Sequence, residues 1–293
     1  PTVESALWFL PRYRLSKDFQ LRARTIINYE YTNSDQTVTR NEPVVSDTTL
    51  QLFYNGIPEI AGIKPMASLN VAVPTSKVSR SRTMLFNPGA SVQLVKGFEH
   101  VIGGELMLIA SAIYSHPIYR STNAEATDPV PYAFQCVGGN NCQDMVSGVM
   151  NPSDVLAYWF LIAGEWGKWS PAVYYLGSSQ WTYSPREVSY LGRPVESPNG
   201  FDPVGVRQTS YFSAWLDYHL NSWLTPEIGY WLSRSALTEA GTRGNPFFDR
   251  YQDMRVYLGF NINIDNLMQQ LEGGAGDAGV VRAHNTRRPF FNF

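Results

Sequence analysis

Apolar and polar residues alternate with a period of two along most of this chain. In FQLRARTIINYEY (19–31), Phe19, Leu21, Ala23, Thr25, Ile27, Tyr29 and Tyr31 share one face. Gln20, Arg22, Arg24, Asn28 and Glu30 share the other. In DMRVYLGFNINI (253–264), Met254, Val256, Leu258, Phe260 and Ile262 separate from Arg255, Tyr257, Gly259 and Asn261 in the same way. DYHLNSWLTPEIGYW (217–231) repeats the pattern on both sides of a short polar turn. Such alternation predicts strands with two unlike faces.

The same reading predicts further strands over 6–15, 48–55, 63–73, 83–95, 104–115, 155–166, 171–183, 209–220 and 226–235. With 19–31 and 253–264 that makes eleven, each of about 8–14 residues. The first convincing helical period is IDNLMQQL, 264–271. Connections alternate between short ones, such as SKD and GKWS, and long ones, such as 32–47, 116–152 and 185–206. PTSKVSRSR (74–82) reads as a loop.

The less polar face of these strands is almost free of charge. In a soluble sandwich the face away from the core meets water and carries many charged groups. Tyr29, Tyr31, Trp166, Trp169, Tyr183, Trp223, Tyr230 and Trp231 cluster toward strand ends, as aromatic girdles near lipid headgroups do. The longest apolar run, VLAYWFLIAG (155–164), is too short for a spanning helix, which needs about 20 residues. The predicted fold is therefore all-β, an antiparallel up-and-down transmembrane β-barrel over 1–264 with a tail over 265–293. The alternative is a soluble two-sheet β protein with aromatic-rich strands.

Composition agrees. Charged residues make up 16% of the chain and aromatics 14%; a charged share of about 25% is usual. Mean hydropathy is −0.22, unlike a bundle of membrane helices. A net charge of −2 gives no footprint for nucleic acid. The chain starts at Pro1 without a visible leader and is read as a processed form. CVGGNNC holds both cysteines, Cys136 and Cys142, in a loop that permits a small disulfide and then implies an oxidising compartment. Two free thiols are the other possibility.

Catalytic chemistry is not indicated. His100, His116, His219 and His284 match no metal-ligand spacing, and no cofactor is expected. Ser213 and His219 lie about 20 Å apart along one strand, too far to hydrogen-bond. GGNN and GGAG do not join a strand to a helix as phosphate loops do. A non-enzyme is expected.

On these patterns residues 5–264 resemble bacterial outer-membrane β-barrel proteins. The resemblance implies an outer-membrane location with the lipid bilayer as partner. SLNVAVPTSKVSRSRTMLFNPGASVQL (68–94) resembles barrels associated with aromatic-compound degradation clusters, which implies uptake of small hydrophobic or aromatic compounds. The terminal PFFNF is similar to the terminal-strand aromatic that such barrels present during assembly, with Phe293 in that place.

Eleven strands conflict with the even number usual in bacterial barrels, so about twelve are expected. The missing strand would come from upstream of Pro1, from VVRAHNTRRPFFNF (280–293), or from a partner chain. Alternation places Arg12, Arg14, Arg22, Arg24, Lys64, Glu105, Asp217 and Glu227 on the lumen face, toward the short-turn end. Trp215, Trp231, Tyr175 and Tyr257 are placed there too. Basic early strands then face acidic later ones, either as a charge filter across water or as ion pairs that brace a plug. The leading expectation is a narrow, weakly charge-selective pore. The rival is a sealed barrel that anchors or scaffolds an envelope protein through loops 116–152 and 185–206 or the 265–293 tail, which could instead plug the lumen.

Overall fold

The computed structural model describes residues 3–31, 43–124, 150–183, 205–235, 244–248 and 253–271. It also describes the backbone of Phe134–Val137, Asn141–Asp144, Ser189–Tyr190 and Arg193–Pro194. Most of the two long loops, and the tail beyond Leu271, lie outside the described residues.

Eleven strands follow one another in chain order and pair with their sequence neighbours. They are β1 (Glu4–Phe9), β2 (Phe19–Glu30), β3 (Thr48–Tyr54), β4 (Lys64–Val73), β5 (Met84–Val101) and β6 (Gly104–Ser115). Then come β7 (Pro152–Glu165), β8 (Trp169–Thr182), β9 (Val206–Tyr218), β10 (Leu224–Ser235) and β11 (Asp253–Ile262). Every pairing is antiparallel. Arg12–Arg14 continues β1 along β2 in the same register. The result is a single up-and-down sheet of the transmembrane-barrel type, with no helix long and apolar enough to cross a membrane among the described residues.

The sheet curls on itself. Arg24 on β2 and Tyr174 on β8 lie near enough to influence each other's charge although five strands stand between them along the sheet. Their shared face is therefore concave. The convex face carries the apolar half of the alternation. On β7, Leu156, Tyr158, Phe160 and Ile162 are exposed, while Ala157 is buried with Tyr174 and Leu176 on the concave side. On β2, Phe19, Leu21 and Ile27 are exposed outward.

The short connections gather at one end. Between β5 and β6 the turn is Ile102–Gly103, and both residues have positive φ, 51° and 75°. That is the two-residue turn whose twist suits a hairpin. It lets β5 run on to Val101, past the expected end at 95, through a bulge between Phe98 and Val101. At the same end Trp166 donates its indole N–H to the Val101 carbonyl at 3.1 Å and lies over Gly104 and Gly164. After β11, helix α2 (Ile264–Leu271) forms where the sequence pattern places it.

The opposite end holds an unexpected helix. Lys77–Ser81, within the stretch read as a loop, forms α1. Ser76 caps it by accepting from the Ser79 N–H at 3.1 Å. The Asp47 carboxylate accepts from the Ser76 N–H at 3.0 Å and from the Ser79 hydroxyl. A five-residue helix is too short to leave a 3.6-residue period, so the sequence pattern shows only a loop there.

Candidate functional site

The concave face is polar, aromatic and charged. On β2, Gln20, Arg22 and Arg24 point inward opposite Phe53, Gln51 and Thr49 of β3. Arg12 lies directly across from Arg22, and Arg14 across from Gln20. The Arg22 Nε donates to Gln20 at 2.8 Å, and its guanidinium lies 3.8 Å from the Phe53 ring centroid. Arg24 sits near the middle of β2 rather than at the short-turn end, and its buried Nε has no hydrogen-bond partner among the described residues. Lys64 is exposed at the short-turn rim.

Glu30 is buried at the long-loop end of β2, opposite Glu4 of β1, and the acidic groups predicted for the lumen fall on the later strands. Glu105 is directly opposite Glu165, and Asp217 directly opposite Glu227. Asp217 and Glu227 are buried, and Asn261 of β11 donates to Glu227 at 3.1 Å. All four carboxylates stand next to short turns. His219, just past β9, contacts the Ser170 hydroxyl at 2.8 Å and the Thr225 hydroxyl at 3.2 Å. Ser213 instead donates to the Tyr230 carbonyl. His219 thus pins the β9–β10 turn to the wall.

Across the later strands β7 to β10 runs an aromatic file. Trp159 stacks on Tyr174 at 5.7 Å, Tyr174 meets Tyr211 edge-on at 6.4 Å, and Tyr211 stacks on Trp231 at 5.7 Å. The Arg255 guanidinium caps the file 4.8 Å above the Trp231 ring. Trp215 packs against the Ala157–Tyr174–Leu176 cluster. Tyr257 points inward too, over Gly229. Tyr175 does not. It pairs with Phe160 and Phe212 on the convex face, and Tyr174 takes the inward position. PAVYYL is apolar in both phases, so its own alternation does not fix its facing. The neighbouring pair Ser170 and Asp217 does. Trp231, read both as a girdle residue and as inward, is inward.

Several inward residues escaped the sequence reading. Trp159, Tyr174 and Tyr211 come together only once strand register is known. Arg255 puts a basic group on the last strand, directly opposite Trp231. At the long-loop end, Arg82 follows α1 and Arg207 opens β9, and the two lie close enough to repel. Asn151, fully buried, ties this region together by donating to the Arg82 and Ser121 carbonyls, both at 2.9 Å. Tyr119 is enclosed in the same cap, and burial pushes its phenol up to about 12.

The backbone of the cysteine hairpin places Cys136 directly opposite Cys142. Among the described residues no group of histidines, cysteines or carboxylates is arranged to hold a metal ion.

No known family model matches the chain, and no curated protein matches it either. The likeness of 68–94 to aromatic-degradation barrels therefore stays with the sequence alone. Among solved structures, the chain is similar to a crystal structure of the porin NanC, with a TM-score of 0.46 and 11% identity. The likeness covers 89% of this chain and 92% of that one.

Proposed function

We propose that this chain is a bacterial outer-membrane β-barrel whose lumen is a narrow, charge-selective pore, not an enzyme. The observation that carries this reading is the contrast between the two faces. The convex face exposes Leu, Ile, Phe and Val along nearly every strand, and the concave face holds the charges. Water on the convex face would gain nothing from such a surface, whereas hydrocarbon suits it. Along the lumen, Arg82 and Arg207 stand at the outer mouth, Arg24 at mid-wall, and Arg22, Arg12 and Arg14 below it. Fixed cations in file lower the barrier for anions through a low-dielectric wall. The carboxylates Glu105, Glu165, Asp217 and Glu227 occupy other strands, so the field runs across the lumen as well as along it.

The sealed-barrel reading has its own supporting observation. Arg24 and Tyr174 approach each other across the concave face, and the α1 cap and Asn151 cluster gather at the outer end. On that reading the long loops and the tail dock an envelope partner. The register of Cys136 and Cys142 supports a disulfide that stiffens one such loop in an oxidising compartment.

Reversal potentials in a planar bilayer separate the two. The pore reading predicts steady channels with anion preference, falling about two-fold or more on Arg22→Ala with Arg24→Ala, because two fixed charges leave the lumen wall. Silence from folded, inserted protein contradicts the pore and favours the sealed barrel.

A further inference from the structure

Arg82 and Arg207 are half-buried and lie close enough to repel. Neither guanidinium forms an ion pair or a hydrogen bond among the described residues. They come from distant parts of the chain, and a run of hydrogen bonds holds them together. Arg82 closes α1, and its carbonyl accepts from the Asn151 side-chain amide at 2.9 Å. The Asn151 carbonyl accepts from the Tyr183 N–H at 3.0 Å. The adjacent Thr182 N–H donates to the Gly205 carbonyl at 2.9 Å, two residues before Arg207. Gln180 is then the direct cross-strand partner of Arg207 on the concave face. Two like charges fixed side by side away from bulk water favour an anion between them.

Two carboxylates at this end are committed elsewhere. Asp47 accepts from the Ser76 N–H and the Ser79 hydroxyl at the start of α1. Asp154 accepts from the Tyr114 hydroxyl at 2.6 Å and contacts His116 at 3.1 Å. Uncharged polar groups, in contrast, border the arginine pair. Tyr119 pairs with Met84, two residues past Arg82, and its phenol lies near enough to feel the Arg82 charge. Ser178 sits two residues along β8 from Gln180, about 7 Å down the wall. It shares the concave side with its partners Ala157 and Thr209. Ser178 is only 3% exposed, and its Oγ has no hydrogen-bond partner among the described residues. A buried hydroxyl left without a partner is unfavourable, and a ligand's oxygen would satisfy it.

We infer that Arg82 and Arg207 form a binding site at the outer mouth for the phosphate of a small phosphomonoester. The inference rests on the reading of the concave face as a lumen, and it names a solute class for that lumen. Charge and shape select the ligand. A phosphomonoester carries about −1.5 to −2 at pH 7 and three strong acceptor oxygens. It neutralises both guanidiniums and leaves an oxygen for the Tyr119 phenol. A carboxylate brings a single charge and leaves one arginine uncompensated. Guanidinium forks grip phosphate oxygens in pairs, which a single lysine ammonium does not. The ester side of the solute then points down the wall toward the Ser178 hydroxyl.

Equilibrium dialysis of glycerol 3-phosphate against the full chain in detergent tests the site, with folding checked by the mobility difference between boiled and unboiled samples. Saturable binding of one solute per chain is expected. Arg82→Ala and Arg207→Ala each weaken it by about ten-fold or more, as loss of a charged hydrogen-bond donor does. Where an alanine variant does not fold, Arg82→Gln or Arg207→Gln gives the same reading. Lys17→Ala removes a charge from the exposed SKD turn at the far end and stays within about two-fold of the parent. Absence of saturable binding, arginine variants that bind as the parent does, or acetate bound as tightly as glycerol 3-phosphate overturns the site. Chloride conductance of the same samples reads the pore separately. Steady channels without phosphate binding sink the site and leave the pore, whereas binding by a silent protein upholds the site and sinks the pore.

Discussion

Gly229 on β10 lies under the Tyr257 ring of β11, and a Cβ there would come within 2.2 Å of that ring. A strand glycine weakens its own strand but lets an aromatic neighbour lie flat across it. The two residues are direct cross-strand partners on the concave face. Gly229→Val therefore lifts Tyr257 off the wall and costs about 1–3 kcal/mol, as overpacking does. Urea denaturation checks this, and Tyr257→Ala in the same chain recovers part of the loss. Strictly additive costs would show that the two residues do not share a site. The sequence shows a glycine and a tyrosine in phase on two predicted strands, but nothing local says that they touch.

At the scale of the element, each strand presents apolar side chains to one medium and polar ones to another. β7 separates these clearly, since Phe160 is outward and Leu161 inward on adjacent positions. If lipid surrounds the convex face, Phe160→Arg destabilises the folded protein in vesicles by about 2–4 kcal/mol. If water does, a half-exposed position tolerates the change to within about 0.5 kcal/mol. Equilibrium unfolding in vesicles distinguishes the two. Strand existence and facing were legible from alternation wherever one phase was polar, as in β2 and β11. Facing was ambiguous where both phases were apolar, which is why Tyr175 was placed inside. The boundary at Val101 was missed because the turn Ile102–Gly103 depends on backbone handedness, and Ile102 gives no hint of it. Helix α1 was missed because its stability comes from Asp47, about thirty residues away, as well as from Ser76.

For the whole molecule, register turns scattered residues into a charge map. Arg12, Arg14, Arg22 and Arg24 stand on one side of the sheet, and Glu105, Glu165, Asp217 and Glu227 on another, with the aromatic file among the later strands. The early basic and later acidic grouping follows from the order of residues along a meander, so it was visible in sequence. The approach of Arg24 to Tyr174 was not, because it depends on how tightly the sheet curls. The same curl brings Arg255 and the early arginines to the two edges of the sheet. A closed wall makes them neighbours around the lumen, and an open one leaves them at a water-filled seam.

All of this depends on the convex face meeting lipid. The most direct test places spin labels singly at 156 to 162 along β7, in protein reconstituted into vesicles, and measures collision with oxygen and with a water-soluble relaxant. The account predicts high oxygen and low aqueous accessibility at 156, 158, 160 and 162, with the opposite phase at 157, 159 and 161. Aqueous accessibility at the even positions equal to that of an exposed surface site would contradict it, and the sheet would then be the face of a water-soluble protein.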